Sequence, residues 1–260
     1  MTDAATPHPE ILTVPCRSDN YAFLILDPES DAAALVDAPE AGPIQEALTG
    51  RGRRLTDILI THHHGDHVEG VAALRSDETR VIGAGRDAGR LPPLTLEVAP
   101  GDTFTLFGHA VHVMEASGHT MGHIAFQMPG ASAVFTGDSL MALGCGRLFE
   151  GDAETMWDTL CGLAALPPET RVYSGHEYTQ ANARFALSVD SENPALSARA
   201  LAVDAARAAG EATVPSTLAD ELASNPFLRA RDADLKEKLG MADARDAEVF
   251  AEIRRRKDAF

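Results

Sequence analysis

The chain has 260 residues, 45 % hydrophobic and 23 % charged, enough for one large domain or for one domain with a smaller second, and able to bury roughly 70–75 % of the surface of its unfolded chain. Its 22 Lys and Arg stand against 39 Asp and Glu, a formal net charge of −17, which disfavours nucleic-acid backbones and anionic membranes as partners. Three cysteines, Cys16, Cys145 and Cys161, with no C-x-x-C spacing point to a reducing compartment and away from a disulfide framework.

The amino terminus, MTDAATPHPE, has neither the basic start nor the apolar segment of a leader, and nowhere does a run of about 18 apolar residues occur. A cytoplasmic location is expected. Short strands are then predicted at 11–14, 21–26, 33–36 and 55–60, separated by Gly, Pro, Asp and Ser, with a helix over 43–48. Residues 61–67, THHHGDH, follow the fourth strand, and a helix is predicted over 68–74. Sites in open α/β sheets form where strands end. Three imidazoles and a carboxylate within so short a stretch are too polar for packing, and both group types are ligands for borderline divalent metals such as zinc. In an extended segment His62 and His64 point one way and His63 the other. Asp66 and His67, after the turn at Gly65, can aim at a neighbouring point, so one segment can serve two adjacent metals. A tag-like surface run is the bland alternative. The internal position and the Gly-Asp interruption argue against it.

Further strands are predicted at 80–82, 94–98, 103–106, 110–114, 124–128, 133–135 and 171–174, with a helix over 153–163. Three of these runs end on glycine followed by a candidate ligand: Ser117-Gly-His119, Thr136-Gly-Asp138 and Ser174-Gly-His176. Glycine lets the backbone turn such a side chain toward a common point. Taken alone, Asp138 reads equally as a turn aspartate and His119 as a core histidine; with the central motif both read as ligands. His8, His63, His109, His112 and His123 are left without a ligand role, His123 being a candidate outer partner of a ligand. Beyond residue 178 the chain turns Ala-, Glu- and Arg-rich, with helices predicted over 179–188, 194–209, 215–223 and 242–257. A domain boundary is placed there, giving 1–178 and 179–260. The fold class expected is α+β, two packed sheets with helices outside.

The segments THHHGDH (61–67), SGHTMGH (117–123), TGDSL (136–140), GCGRLFEG (144–151), GHEYT (175–179), PSTLADELASNPFLR (215–229) and RRRKDAF (254–260) resemble the metallo-β-lactamase superfamily. Within it they resemble glyoxalase II, the hydroxyacylglutathione hydrolases, over essentially the whole chain. That resemblance implies an αββα sandwich followed by a helical substrate-binding domain. It implies two divalent metal ions, zinc with iron or manganese as alternatives. His62, His64 and His119 would hold one, Asp66, His67 and His176 the other, and Asp138 would bridge, with Asp66 and Asp138 as catalytic residues. It further implies hydrolysis of S-D-lactoylglutathione, with Arg254 and Lys257 on the glycine carboxylate of glutathione and Arg147, Phe149 and Tyr178 beside the substrate; it demands no partner chain, so a monomer is expected. From the residues alone, Arg254 and Lys257 read as cations complementing a helix C-terminus. Phe149 stands where some members have tyrosine, and so lacks a hydroxyl donor. Ser117 stands where proline is common, which is expected to loosen the turn slightly. A persulfide dioxygenase of the same superfamily with a single iron is the alternative reading, and the region 179–260 argues against it.

Overall fold

The computed structural model describes residues 7–260; residues 1–6, part of the amino-terminal segment expected to carry no leader, lie outside the described residues. The chain divides into two compact units, Met1–Glu115 with Ile124–Phe135, and Ala116–His123 with Thr136–Phe260.

The first unit carries, in order, β1 (Glu10–Cys16), β2 (Asn20–Leu26), β3 (Ala32–Val36), α1 (Ala41–Gly50), β4 (Arg54–Leu59), α2 (Gly65–Val68), α3 (Val71–Leu74), β5 (Arg80–Ala84), β6 (Leu96–Val98), β7 (Thr103–Leu106), β8 (His109–Glu115), β9 (Ile124–Met128) and the start of β10 (Ala133–Gly137). Strands β1 to β6 form one sheet in chain order. The first two pairings are antiparallel and the rest parallel. Every residue of β2 is buried, as a strand covered on both faces requires. Ala22, Leu24 and Leu26 pack in one cluster with Ile44 and Leu48 of α1 and Val71 of α3. Phe23, pointing the other way, meets Phe135 of β10 with ring centroids 5.8 Å apart, so β10-β9-β8-β7 form a second sheet facing the first.

The single helix expected over 68–74 is two short ones. A Cβ on Gly70 would come within 3.0 Å of Ala38 O, and Gly70 N–H donates to that oxygen at 2.9 Å. The backbone therefore packs directly against the segment after β3, and the helix breaks there. The strand expected at 94–98 is confined to Leu96–Val98.

The second unit continues with β11 (Leu140–Met141), β12 (Gly144–Cys145), α4 (Ala153–Ala164), β13 (Arg171–Ser174), α5 (Thr179–Val189), α6 (Pro194–Ala208), β14 (Ser216–Thr217), α7 (Leu218–Ser224), α8 (Ala233–Lys238) and α9 (Asp246–Asp258). Asp152 caps α4, Asn193 with Pro194 starts α6, and Thr217 and Asp220 form a capping box on α7. The helix expected from Pro215 therefore begins three residues later, because Ser216 and Thr217 pair with β13. A ladder of rings runs through this unit: Trp157–Phe250, Phe250–Phe227 and Phe227–Phe185, with centroids 6.1, 5.8 and 6.0 Å apart. Among the described residues no helix is long and apolar enough to cross a membrane.

Candidate metal centre

In the first unit the central motif leaves the end of β4, and Asp37, just beyond β3, organises it. Thr61 donates from N–H and Oγ1 to the two Asp37 carboxylate oxygens, each at 2.8 Å. His67 Nδ1 lies 2.8 Å from Asp37 Oδ2. A buried carboxylate can only accept here, so His67 carries its proton on Nδ1 and keeps a lone pair on Nε2. Thr61 Oγ1, its own proton committed to Asp37, accepts from His62 Nδ1 at 3.0 Å, which leaves a lone pair on His62 Nε2. That nitrogen faces His64 Nδ1 at 3.2 Å. His63 turns away to Asp87 Oδ2 at 2.9 Å.

In the second unit His119 Nδ1 donates to Arg147 O at 2.8 Å. Its Nε2 lies 3.5 Å from Asp138 Oδ2, and His176 Nε2 lies 3.3 Å from the same oxygen. Asp138 N–H donates to His123 Nε2 at 3.1 Å, so His123 holds the backbone of its neighbour. Two glycines are required for these placements. Gly118 has φ 138° and a Cβ there would strike Met156; a Cβ on Gly146 would fall 1.9 Å from Asp138 O. Ser117 does not merely replace a proline: its hydroxyl donates to Met121 O at 2.9 Å and closes the turn, where loosening was expected.

The candidate ligands thus gather within each unit: His62, His64, Asp66 and His67 at the strand end of the first, and His119, Asp138 and His176 on the loops of the second. Imidazole lone pairs and carboxylate oxygens that converge inside a protein repel one another unless a cation lies between them. The donor set therefore fits divalent metal binding. Cysteine takes no part. All three thiols are free, and burial pushes Cys16 up to about 12 and Cys145 up to about 11.

Two aromatic rings flank these ligands and remain exposed. Tyr178 stacks on His176, centroids 4.7 Å apart and 4° from parallel, and Phe149 stands edge-on to His119 at 5.2 Å. The basic run on α9 sorts by partner. Arg255 and Arg256 both reach Glu252. Arg254 is buried, donating to Cys145 O at 3.0 Å and Asp258 Oδ1 at 2.7 Å. Lys257 donates to Ala181 O at 3.3 Å and makes no ion pair among the described residues. Burial, with Arg254, Arg184 and Arg147 beside it, lowers its pKa to about 8.

The loop between β11 and β12 is held by side chains of three helices. Asn225 Nδ2 donates to Met141 O and Gly144 O at 3.1 and 3.0 Å. Asn182 Nδ2 donates to Ala142 O at 3.0 Å, and Leu143 N–H to buried Glu221 at 2.9 Å. Arg254 completes the set on Cys145 O. This hairpin leads directly into Gly146, against Asp138, and Arg147, whose carbonyl orients His119. Sequence reasoning missed Asp37, Asn20 and this network. Only Asp37 had a signal, being a polar residue at a strand end like the ligands themselves.

Paired sheets with strand-end His and Asp groups are the architecture of the metallo-β-lactamase superfamily, and the superfamily model matches residues 18–176. The model for the hydroxyacylglutathione hydrolase C-terminus matches residues 177–260. Hydroxyacylglutathione hydrolases from Cereibacter sphaeroides and Ruegeria pomeroyi are 60 % and 61 % identical to the chain, each over 96 % of it and 99 % of the relative. The chain belongs to the hydroxyacylglutathione hydrolase family. Among solved structures, that of ETHE1 from Myxococcus xanthus is similar with a TM-score of 0.67 at 25 % identity, over 96 % of this chain and 90 % of that one.

Proposed function

We propose that the chain hydrolyses S-D-lactoylglutathione and related 2-hydroxyacylglutathione thioesters to the hydroxy acid and glutathione. The observation that carries the reading is 60 % identity to a hydroxyacylglutathione hydrolase over 96 % of the chain, supported by the His and Asp donors gathered in each unit. His62, His64 and His119 would hold one divalent ion and Asp66, His67 and His176 a second, with Asp138 available to both. Zinc suits this mixed N/O set, as do iron and manganese. When bound, such ions would supply Lewis acidity, lowering the pKa of water to about 7 and polarising a carbonyl.

The chain's own residues do the rest. Thr61, Asp37 and the Arg147 carbonyl fix the tautomers of His62, His67 and His119, so the ligand nitrogens are ready without rearrangement. Asp66 aligns the attacking oxygen. Lys257 and Arg147 offer positive charge to the glutathione carboxylates, and Arg254, bonded to Cys145 O and Asp258, anchors the segment that leads to Arg147. Tyr178 and Phe149 flank the thioester, and Phe149 contributes packing only. The leaving thiolate needs no strong general acid, because thiol pKa values lie near 8.5. Residues 1–178 form the catalytic domain and 179–260 the substrate-binding domain of a cytoplasmic monomer.

Loss of S-D-lactoylglutathione followed by absorbance, with metal analysis of the same sample, tests the reading. Rapid hydrolysis with two metals per chain is expected. Oxygen uptake on glutathione persulfide with one iron would replace it with the dioxygenase. Wild-type turnover by Asp66→Ala carrying full metal would refute the role of that residue.

A further inference from the structure

We propose that Asn20 is the positioning residue for Asp66 and thereby sets the affinity of the second metal position; the proposal rests on the binuclear reading above. Asn20 opens β2 and is buried at 4 % exposure. Its Nδ2 lies 3.1 Å from Asp66 O and 3.1 Å from Asp66 Oδ2. Both partners are acceptors, so the amide can only present its nitrogen to them, and its two hydrogens serve one each. The backbone bond fixes where α2 begins, and the side-chain bond fixes the carboxylate rotamer. Asp66 Oδ2 also lies 3.8 Å from His67 Nε2. A carboxylate oxygen has two lone pairs, so Oδ2 can accept the amide on one and face a metal with the other.

The donor is itself held rigidly. The turn from β1 into β2 is pinned through Arg17, in the left-handed region at φ 50°. Arg17 donates from Nε to Pro39 O at 3.1 Å, from its backbone to the Glu40 carboxylate, and from its guanidinium to Glu69. Asn20, at the foot of this turn, pairs with Cys16 in the sheet. A rigid strand end thus carries the amide, while Asp66, with 35 % of its side chain exposed on a four-residue helix, is the ligand most in need of orientation. The chemistry of the donor fits this task. A cation there would compete with the metal for the carboxylate, whereas a neutral amide directs it and leaves its charge available. His62, His67 and His119 have their outer partners in Thr61, Asp37 and Arg147 O; Asn20 extends the pattern to the carboxylate of Asp66.

The test is zinc titration of metal-free protein against a buffered series of free zinc, with thermal unfolding of the same metal-free samples. Wild type should take up two equivalents. Asn20→Leu, which keeps the volume and removes the donor, should bind the first equivalent as wild type and the second about tenfold to a hundredfold more weakly. Asn20→Ser, shorter but still a donor, should fall between. Unchanged uptake of the second equivalent by Asn20→Leu would overturn the proposal, even with a lowered unfolding temperature, since that outcome is a structural role alone. Uptake of a single equivalent by wild type would bring down the binuclear reading, and this proposal with it.

Discussion

Asp37 shows how much a residue outside the ligand set can decide. It accepts from Thr61 twice and from His67 once, and through them it sets the ligand nitrogens of two histidines. Asp37→Asn keeps the shape but leaves one oxygen for three donors. Zinc affinity should fall about tenfold to a hundredfold, read by competition with a chromophoric chelator, with the loss in the tightly bound fraction. Gly146 is decided by space. A Cβ 1.9 Å from Asp138 O cannot be absorbed by side-chain motion, because the obstacle is backbone. Gly146→Ala should lower stability by about 1–3 kcal/mol in urea unfolding and release metal from the folded protein. The ligands themselves were legible because they crowd polar groups onto strand ends, where packing cannot explain them. Asn20 and Asp37 were not, because each acts on a motif far away in sequence. Asn20 reaches Asp66 across 46 positions, and no local spacing reports such a contact.

The elements were legible in proportion to their length and burial. Runs such as Tyr21 to Leu26, apolar on both faces, declare a strand whatever surrounds them. The two-residue strands β11, β12 and β14 contain no period to detect, and α8 is too short and too charged to show an apolar face. The split of 68–74 at Gly70 depends on the carbonyl of Ala38, a partner supplied only by the fold. Helix α7 carries a buried ion pair. Glu221, fully buried, accepts from Ser216 and from Leu143 N–H and pairs with Arg199, itself only 13 % exposed. Glu221→Gln leaves that guanidinium without its counter-charge and should cost about 3–5 kcal/mol, seen as a lower urea midpoint at unchanged slope. Replacing Arg199 alone should cost a similar amount, and the double replacement by apolar residues less than the sum of the two.

At the scale of the whole molecule, charge is distributed against the grain. A chain of net charge −17 gathers Arg254, Arg184 and Arg147 around Lys257, whose burial and cationic neighbours together hold its pKa at about 8. Burial is the larger cause, and both disfavour the ammonium in the folded state. Below about pH 8 the folded protein therefore carries the full cost of that charge. Between about 8 and the ordinary 10.5 the unfolded chain binds more protons, so this residue's contribution to stability becomes more favourable as pH rises. Substrate binding should move the opposite way. The KM for the glutathione thioester should rise as pH passes about 8, while kcat changes less. Lys257→Arg should flatten that rise, and added salt should raise KM throughout. The loop at Met141 to Cys145 bears on how the gene can be divided. Its carbonyls, and one amide, are satisfied by Asn182, Glu221, Asn225 and Arg254, all encoded downstream of residue 178. A reading frame stopped at that point would therefore yield no smaller enzyme of relaxed specificity. It would yield a chain with exposed main-chain groups beside the His119 and Asp138 loops, and recombination at this seam would succeed only with a donor that brings the same four side chains.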